Sequence, residues 1–290
     1  MNAKLNKVLL VINPVSGDTD KTPIIDMITD SLGKETEYSM YTTTGKEDID
    51  KLRKKVKAFR PDRILVVGGD GTIKLAAQVC HDQNVTIGII PAGSANGLAT
   101  DLELPQNHEK ALTVAMGDQI KSIDALRIRE SIGLHICDMG INAELIKNYS
   151  DSAVRGHFGY LVNSIPTLWK TESPYRFSIA ANGVKREVDA VMVAFANSKK
   201  FGTGALVNPN GKIDDGKFEV LIFKELNFFE VLKTLNGNID MTSDFVEVIQ
   251  STEVRVTTEK PVSFQIDGEF YDDIEEITVT ILPDYVAIAT

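Results

Sequence analysis

Cysteine is nearly absent from this chain, which has two among its 290 residues. Cys80 and Cys137 cannot build a disulfide framework, and we expect both to be reduced and packed in the interior. Long apolar runs are missing too: Val8–Ile12 is too short for a signal peptide, and no stretch approaches the roughly 20 residues that span a bilayer. These absences favour a cytoplasmic protein with no transmembrane segment.

Positive charge is also in short supply. The chain has 31 Lys and Arg against 41 Asp and Glu, which gives a formal net charge of −10. A broad nucleic-acid surface needs clustered cations to displace counterions, so we expect no nucleic-acid partner. Hydrophobic residues at 43% and charged residues at 25% are ordinary for a globular protein. At roughly 150 residues per domain, the length favours two domains.

The first 120 residues alternate between strand and helix patterns. The continuous apolar run Val8–Ile12 is typical of a strand buried on both faces, and Arg63–Val67 and Thr86–Ile90 are further predicted strands. Thr22 is a candidate N-cap for a first helix, and Glu47–Phe59 has the spacing of a second. This alternation predicts an α/β domain, 1–122, with a Rossmann-like parallel sheet.

The pattern changes near residue 122, after which apolar residues mostly alternate with period two. We predict turns at Glu259-Lys260-Pro261 and Leu282-Pro283-Asp284, and helical interruptions at Val154–Lys170 and Phe228–Leu235. The second domain, 123–290, is therefore expected to be an antiparallel β-sandwich, with the option that its last strand rejoins the first domain.

A glycine-rich loop, Gly68-Gly69-Asp70-Gly71-Thr72, directly follows a predicted strand and precedes a predicted helix. Its glycines let the backbone approach a ligand closely, and the helix N-terminus favours an anion. Asp70 adds a carboxylate that could orient Mg²⁺. Neither the Walker pattern nor the Gly-x-Gly-x-x-Gly pattern is present. The plainer interpretation is a structural turn, but its place at the carboxyl end of a parallel strand favours phosphate binding.

Two further small-residue loops end other predicted strands, Asn13-Pro14-Val15-Ser16-Gly17 and Pro91-Ala92-Gly93-Ser94-Ala95-Asn96-Gly97. With these three loops the sequence resembles the diacylglycerol kinase-type lipid kinases, which include bacterial diacylglycerol kinases and eukaryotic sphingosine and ceramide kinases. Four more stretches match in the family's order: Ile123-Asp124, Phe201-Gly202-x-Gly204, Asp214-Asp215-Gly216-x-Phe218 and Gln265-Ile266-Asp267-Gly268-Glu269.

The resemblance implies that the first domain binds ATP and that the second binds a lipid. It implies a nucleotide site lined by Asn13, Pro14, Ser16, Gly17, Thr43, Gly68, Gly69, Asp70, Gly71, Thr72, Ser94 and Asn96. Asp70 and Asp124 would hold the catalytic Mg²⁺, partly through water. Asp215, with the backbone carbonyls of Lys212 and Lys217, would form a second, structural Mg²⁺ site.

The resemblance further implies that Asp267 or Glu269 removes the proton of the lipid hydroxyl, and the sequence leaves the choice between them open. Without the resemblance, Asp267-Gly268-Glu269 is an ordinary β-turn. Ser94 and Gly97 depart from the Gly-Thr-x-Asn-Asp loop of bacterial diacylglycerol kinases, and Asn142 replaces an Asp common in the family. These departures leave the lipid open between diacylglycerol and a sphingoid type.

A basic helix at residues 51–60 has two interpretations. Its cations could face a membrane surface, or they could form a solvated face balanced by acids elsewhere, which is the commoner case. They are Lys51, Arg53, Lys54, Lys55, Lys57 and Arg60. The four histidines, His81, His108, His135 and His157, lack metal-ligand spacing and are expected to be structural.

The sequence thus predicts an ATP- and Mg²⁺-dependent lipid kinase that works between its two domains. Its lipid partner would be met at the membrane surface, peripherally and transiently, and the sequence is compatible with a homodimer. An NAD kinase-like phosphotransferase shares the Gly-Gly-Asp-Gly loop, but the Thr-Pro-Thr-Gly-Ser-Thr-like segment of that enzyme is not found in this sequence. A non-catalytic lipid or nucleotide sensor is the third alternative, which the intact carboxylates disfavour.

Overall fold

The structure is a computed structural model that describes residues 5–150, 174–199, 206, 208–225 and 246–290. The chain forms two compact units. Unit 1 comprises Met1–Asp124 and Asp284–Thr290, and unit 2 comprises Ala125–Pro283. The helices expected at Val154–Lys170 and Phe228–Leu235, and the stretch 201–204, lie outside the described residues.

Unit 1 is an α/β unit around a parallel sheet. Its strands are β1 (Lys7–Ile12), β2 (Glu37–Thr42), β3 (Arg63–Gly68) and β4 (Thr86–Pro91), in the spatial order β2-β1-β3-β4. Its helices are α1 (Thr22–Ser31), α2 (Asp48–Phe59), α3 (Asp70–Cys80), α4 (Gly97–Asp101) and α5 (His108–Ala115). The last residues of the chain extend this sheet, because Ile288 pairs in parallel with Ile87 of β4.

The apolar runs of the sequence become the centre of this sheet. Val8, Leu9, Leu10 and Val11 of β1 have no exposed surface. Val8 and Leu10 pack on the side that carries Ile24 and Ile28 of α1. Each such burial contributes about 1.5–3 kcal/mol, so helices cover a strand of this composition on both faces.

The strand order places a topological switch point at β1. From β1 the chain moves outward to β2, and then crosses back to β3 on the other side of β1. Ligands of open α/β sheets bind beyond the carboxyl ends of the strands at such a point. The loops after β1 and β3 therefore lie where a ligand is expected.

Unit 2 is antiparallel. Two strands join it to unit 1, β5 (Ile120–Ile128) and the long β14 (Glu269–Ala289). Its other elements are β6 (Ser131–Gly133), β7 (Ile136–Gly140), α6 (Ile141–Ser150), β8 (Tyr175–Ala181), β9 (Val184–Ala190), β10 (Met192–Ala196), β11 (Phe218–Phe223), β12 (Val246–Ser251) and β13 (Glu253–Ile266). Its β-sandwich core buries Phe177, Phe195 and Phe264, among other apolar side chains of β5, β7, β8, β10, β11, β13 and β14.

Both predicted turns in unit 2 are wrong. Residues 259–261 lie inside β13, and residues 282–284 lie inside β14. The pairing of β13 with β14 shifts register between Thr257 and Val262, so the proline there accompanies a bulge in a continuous strand. Asp284 has φ +50°, and the chain changes units immediately before it. In both segments a proline next to a charged residue therefore lies at an irregular position within a strand, and not in a turn.

The first helix begins one residue earlier than expected. Helix α1 starts at Thr22, so Thr22 is not its N-cap. Asp20 supplies the capping oxygen instead: its Oδ1 accepts the Thr22 backbone N–H at 2.9 Å and the Thr22 hydroxyl at 2.8 Å. Thr22 therefore does mark the start of the helix, and the carboxylate two residues upstream of it supplies the cap.

Candidate functional site

Three small-residue loops of unit 1 meet at the carboxyl ends of β1, β3 and β4. The Ser16 hydroxyl, after β1, donates to the Ala92 carbonyl, after β4, at 3.0 Å. A Cβ on Gly17, whose φ is +62°, would lie 3.0 Å from that same carbonyl. A Cβ on Gly93 would lie 2.5 Å from the Cα of Gly69. The loops pack backbone against backbone, which requires glycine at these positions.

Asp70 opens α3 within this group of loops. Its Oδ2 accepts the Gly97 N–H and its Oδ1 accepts the Leu98 N–H, each at 2.9 Å. The carboxylate therefore joins the loop after β3 to the start of α4 in the loop after β4. Each carboxylate oxygen has a second lone pair, so a role toward a cation remains open to Asp70.

Asn96 shapes the loop after β4. Its side chain accepts the Gly93 N–H at 2.8 Å and donates to the Gly93 carbonyl at 3.0 Å, and its own φ is +52°. Asn is among the residues that adopt this left-handed backbone most readily. Neighbouring Ser94 is exposed. The structure therefore assigns Asn96 to the loop's shape and leaves the Ser94 hydroxyl accessible.

The remaining residues expected at the nucleotide have distinct places. Asn13 accepts the Val15 N–H at 3.2 Å through its side chain, and Pro14 is exposed. Thr43 follows β2 and donates its backbone N–H to Ile12 at 2.9 Å. Thr72 is 4% exposed and packs against Gly68, where a Cβ would lie 2.5 Å from its hydroxyl. The buried Thr72 side chain thus packs against the backbone of the loop after β3 and supports it.

Lys21 was missed by the sequence reasoning. It is 4% exposed, and its ammonium donates to the carbonyls of Ser16 and Thr19 and to the Thr19 hydroxyl. Burial lowers its pKa, against the attraction of Asp18 and Asp20. The ammonium therefore braces the loop after β1. A single lysine in a polar stretch carries no pattern that predicts burial.

Asp124 lies on β5 at the limit of unit 1. It is 1% exposed, and its Oδ1 accepts the Asp284 N–H at 2.8 Å. The carboxylate therefore fastens the returning C-terminal segment to β5. Nearby, the His81 ring stacks on Tyr285 with centroids 4.2 Å apart, which fixes the same segment.

In unit 2, Asp267-Gly268-Glu269 forms the turn between β13 and β14, referred to below as the DGE turn. The Asp267 carboxylate accepts the backbone N–H groups of Leu134 and His135 at 2.9–3.1 Å. Asp267 has φ +53° and donates its own N–H to the Ile136 carbonyl at 3.2 Å. The Glu269 side chain is exposed. Asp267 therefore anchors the turn, and Glu269 projects from it.

The expected second magnesium site lies on an exposed loop. The Asp215 Oδ1 accepts the Lys217 N–H at 3.1 Å, which is an ordinary Asx turn. Lys212 and Lys217 are also exposed. Among the described residues, no three His, Cys, Asp or Glu side chains are grouped so that they could hold a metal ion. A cation here would rely on Asp215, backbone carbonyls and water.

The cysteines are buried, and the ring nitrogens of the described histidines lie beside backbone carbonyls or a hydroxyl. Cys80 and Cys137 are free and buried, which confirms the expectation, and burial raises the pKa of the Cys80 thiol to about 12. His108 Nε2 lies 3.1 Å from the Pro91 carbonyl, and His135 Nδ1 lies 3.3 Å from the Ser198 hydroxyl. His157 lies outside the described residues.

The basic helix is α2, whose inner face buries Leu52 and Val56. Lys51 lies 3.7 Å from Glu47, and Arg53 lies 3.1 Å from Asp50 and 3.6 Å from Asp82. Part of this charge is therefore balanced locally. No helix within the described ranges is long and apolar enough to cross a membrane.

Comparisons with known proteins cover almost the whole chain. Residues 7–128 match the model of the diacylglycerol kinase catalytic domain. Residues 136–290, more than half of the chain, match the YegS C-terminal NAD kinase beta sandwich-like domain. The two matches follow one another in the order of the two predicted halves.

Curated relatives and solved structures agree with those models. A "Putative lipid kinase" of Staphylococcus carnosus is 24% identical over 99% of this chain and 98% of its own. A "Probable lipid kinase YegS-like" of Chromohalobacter salexigens is 27% identical over 71% and 69%. The crystal structure of a "putative diacylglycerol kinase" from Bacillus anthracis superposes with a TM-score of 0.81 at 22% identity, over 100% of this chain and 97% of that one, and shows the shared fold. The chain therefore belongs to the family of diacylglycerol kinase-type lipid kinases.

Proposed function

We propose that this protein transfers the γ-phosphoryl group of ATP to the hydroxyl of a lipid, with Mg²⁺ as the metal ion. One observation carries the proposal: the glycine loops after β1, β3 and β4 pack backbone to backbone at the switch point of the unit 1 sheet. A crevice of closely packed glycine backbone admits phosphate groups where side chains would exclude them.

The nucleotide is proposed to bind along these loops. Helix α3 spans 11 residues and begins at Asp70, directly after Gly68 and Gly69. The positive end of its dipole favours phosphate oxygens at its N-terminus. The accessible Ser94 hydroxyl would contact the nucleotide, while Asn96 and Thr72 keep the loops in shape. These roles support ATP as the phosphoryl donor.

Asp70 and Asp124 are the residues proposed to hold the catalytic Mg²⁺. Mg²⁺ keeps several waters and is commonly bound by one or two carboxylates together with substrate phosphates. Two carboxylates therefore suffice, although the described residues contain no larger acidic group. Bound Mg²⁺ would neutralise charge that develops on the transferred phosphoryl group. Asp215 with the carbonyls of Lys212 and Lys217 is proposed as a separate structural cation site.

Glu269, rather than Asp267, is proposed as the general base. The Asp267 carboxylate accepts hydrogen bonds from the backbone N–H groups of Leu134 and His135, which makes it part of the turn. The Glu269 side chain is exposed, and its carboxylate makes no hydrogen bond or ion pair with the residues that the structure describes. Its carboxylate would accept the hydroxyl proton as the lipid oxygen bonds to the γ-phosphorus and the bond to the ADP oxygen breaks.

The acceptor is proposed to be diacylglycerol or a sphingoid-type lipid. The enzyme would meet it by peripheral, transient contact with the membrane surface from the cytoplasm, and a homodimer is compatible with this activity. The names of the relatives support a lipid acceptor in general. The departures at Ser94, Gly97 and Asn142 count against diacylglycerol more than against kinase chemistry, and the loop at 91–99 is more similar to that of sphingosine and ceramide kinases.

The deciding measurement is phosphoryl transfer from ATP, with Mg²⁺ or with EDTA, to a panel of acceptors. The panel contains diacylglycerol, monoacylglycerol, sphingosine, ceramide, phosphatidylglycerol and polyprenol in mixed micelles, and NAD in solution. We expect Mg²⁺-dependent labelling of one lipid. Labelling of NAD alone would identify an NAD kinase-like enzyme, and labelling of no acceptor would overturn the proposal.

Matched variants on one strand assign the base. Glu269→Gln should lower kcat by about 10²–10⁴-fold, the usual contribution of a general base, with KM for ATP unchanged. Glu275→Gln, at an exposed carboxylate on the same strand, is the control and should keep wild-type kcat. Wild-type turnover by Glu269→Gln would remove Glu269 from the mechanism.

A further inference from the structure

A buried carboxylate lies behind the DGE turn. Asp138 is the central residue of β7 and has no exposed surface. Its Oδ2 accepts two amide donors, Nδ2 of Asn142 at 2.7 Å and Nε2 of Gln265 at 2.5 Å. Asn142 belongs to α6, and Gln265 pairs directly with Asp138 across the β7–β13 ladder. An ionised carboxylate in such a place is costly unless hydrogen bonds compensate for its burial.

Gln265 connects this carboxylate to the turn. Its Oε1 accepts the Gly268 N–H at 2.6 Å, while its Nε2 faces Asp138 and lies 3.3 Å from the Ile136 carbonyl. The Gly268 N–H is a donor, so it fixes which end of the Gln265 amide faces the turn. The same orientation gives Asp138 the donating end. A two-bond path therefore runs from Asp138 to the residue immediately before Glu269.

We propose that Asp138, in its ionised form, is a positioning residue for phosphoryl transfer that holds the DGE turn through Gln265. The inference rests on the proposed function, because it assigns the positioned group to be Glu269. An ionised Asp138 only accepts, so it requires the donating end of Gln265 and leaves Oε1 for Gly268. A protonated Asp138 can donate, which allows the Gln265 amide to reverse and leaves the Gly268 N–H without its acceptor.

The surroundings of Asp138 place this change near neutral pH. Burial raises its pKa to about 7, and the hydrogen bonds from Gln265, Asn142 and the Ala143 backbone hold it from rising further. Among the described residues, the causes of this shift are burial and hydrogen bonds, with no charged group among them.

The charged groups on the neighbouring elements are engaged elsewhere. On α6, Glu144 accepts the Tyr175 hydroxyl at 3.0 Å, and Lys147 pairs with Asp273. The His135 ring, just before β7, lies beside Ser198. The adjoining strand segments, residues 192–196 of β10 and 263–266 of β13, carry no charged side chain. Within the described part of the chain, the proton on Asp138 therefore responds to burial and to its amide partners.

The test is the pH profile of kcat between pH 6 and 8.5 in wild type and Asp138→Asn. One unit below a pKa of about 7, about a tenth of the carboxyl is ionised, so wild-type kcat should fall about tenfold from pH 8 to pH 6. Asp138→Asn, which has no ionisable group there, should vary less than about twofold over the same range. If kcat of Asp138→Asn still fell about tenfold from pH 8 to pH 6, the inference would be overturned.

Two further measurements keep the test decisive. Asn142→Ala removes one hydrogen bond that stabilises the ionised form of Asp138, so the fall of kcat should move to higher pH. If Asp138→Asn does not fold, this variant takes its place as the test. Hydrogen exchange of the Gly268 amide, corrected for intrinsic rate, should show protection that rises through pH 7 in wild type and stays constant in Asp138→Asn. Exchange needs no substrate, so it tests the inference even if no lipid is phosphorylated, and equal profiles in both proteins would overturn it.

Discussion

Gly93 and Gly69 meet without side chains: a Cβ on Gly93 would lie 2.5 Å from the Cα of Gly69 and 3.0 Å from its backbone nitrogen. The contact joins the loop after β4 to the loop after β3. Both partners are backbone, so neither can swing aside as a long side chain would. The spacing of the two loops is therefore set by the absence of two methyl groups.

Gly93→Ala should push these loops apart. Overpacking of this kind costs about 1–3 kcal/mol of unfolding free energy, and the displaced loop should raise KM for ATP. Urea unfolding and ATP titration measure the two effects. Gly33→Ala is the control, because its nearest non-neighbour atom would be 3.9 Å from the new Cβ. Equal behaviour of the two variants would contradict the close approach.

Asp70→Asn should damage both the loop and the chemistry. The substitution places an amide donor against one of two backbone donors, Gly97 or Leu98, and leaves that N–H unsatisfied at a cost of about 1–3 kcal/mol. It also removes a proposed cation ligand, so kcat should fall further than stability explains. Calorimetry and the ATP assay separate these losses, with the exposed Asp30→Asn as the matched change. If Asp70→Asn were as stable as wild type, the hydrogen bonds from the Gly97 and Leu98 N–H groups to the Asp70 carboxylate would be dispensable.

Lys21→Met tests the brace on the loop after β1. The methionine keeps most of the volume but donates nothing to the Ser16 and Thr19 carbonyls, so we expect a loss of about 1–3 kcal/mol and weaker ATP binding. The exposed Lys34→Met should be neutral in both assays. If Lys21→Met bound ATP as wild type does, the loop would hold its shape without the ammonium.

Asp138 should also make stability depend on pH. Its pKa is about 7 in the folded protein against 3.8 in a free carboxyl, so the folded state binds the proton more tightly. The stabilisation is complete below about pH 4 and is lost as pH rises through 7. From pH 5 to pH 8 wild type should lose roughly 3 kcal/mol more than Asp138→Asn. Denaturant unfolding across this range measures the difference, and parallel curves would contradict the elevated pKa.

The hydrophobic pattern of the sequence was sufficient to predict the parallel sheet of unit 1. Val8–Ile12 is fully apolar and Arg63–Val67 is apolar after its first residue, and a strand covered by helices on both faces has that composition. The three loops could be predicted at one edge because parallel strands share their carboxyl ends. Pro261 and Pro283 predicted turns, but each lies in a long strand that accommodates the proline at an irregular position.

Long-range polar contacts lay beyond the sequence. Gln265 is 127 residues from Asp138, and nothing in either neighbourhood announces that the two pair across adjoining strands. The choice between Asp267 and Glu269 likewise needed the partners of each carboxylate, because residues two apart share a face in a strand but separate at a turn. Hydrogen bonds from Leu134 and His135 supplied that distinction.

The return of residues 284–290 to unit 1 has a consequence for how the chain is made. Those residues supply the strand partner of Ile87 and the ring that stacks on His81, yet they follow all of unit 2 in the order of synthesis. A ribosome must therefore deliver the whole of unit 2 before unit 1 can close its sheet. Unit 1, although most of it is translated first, is therefore completed last.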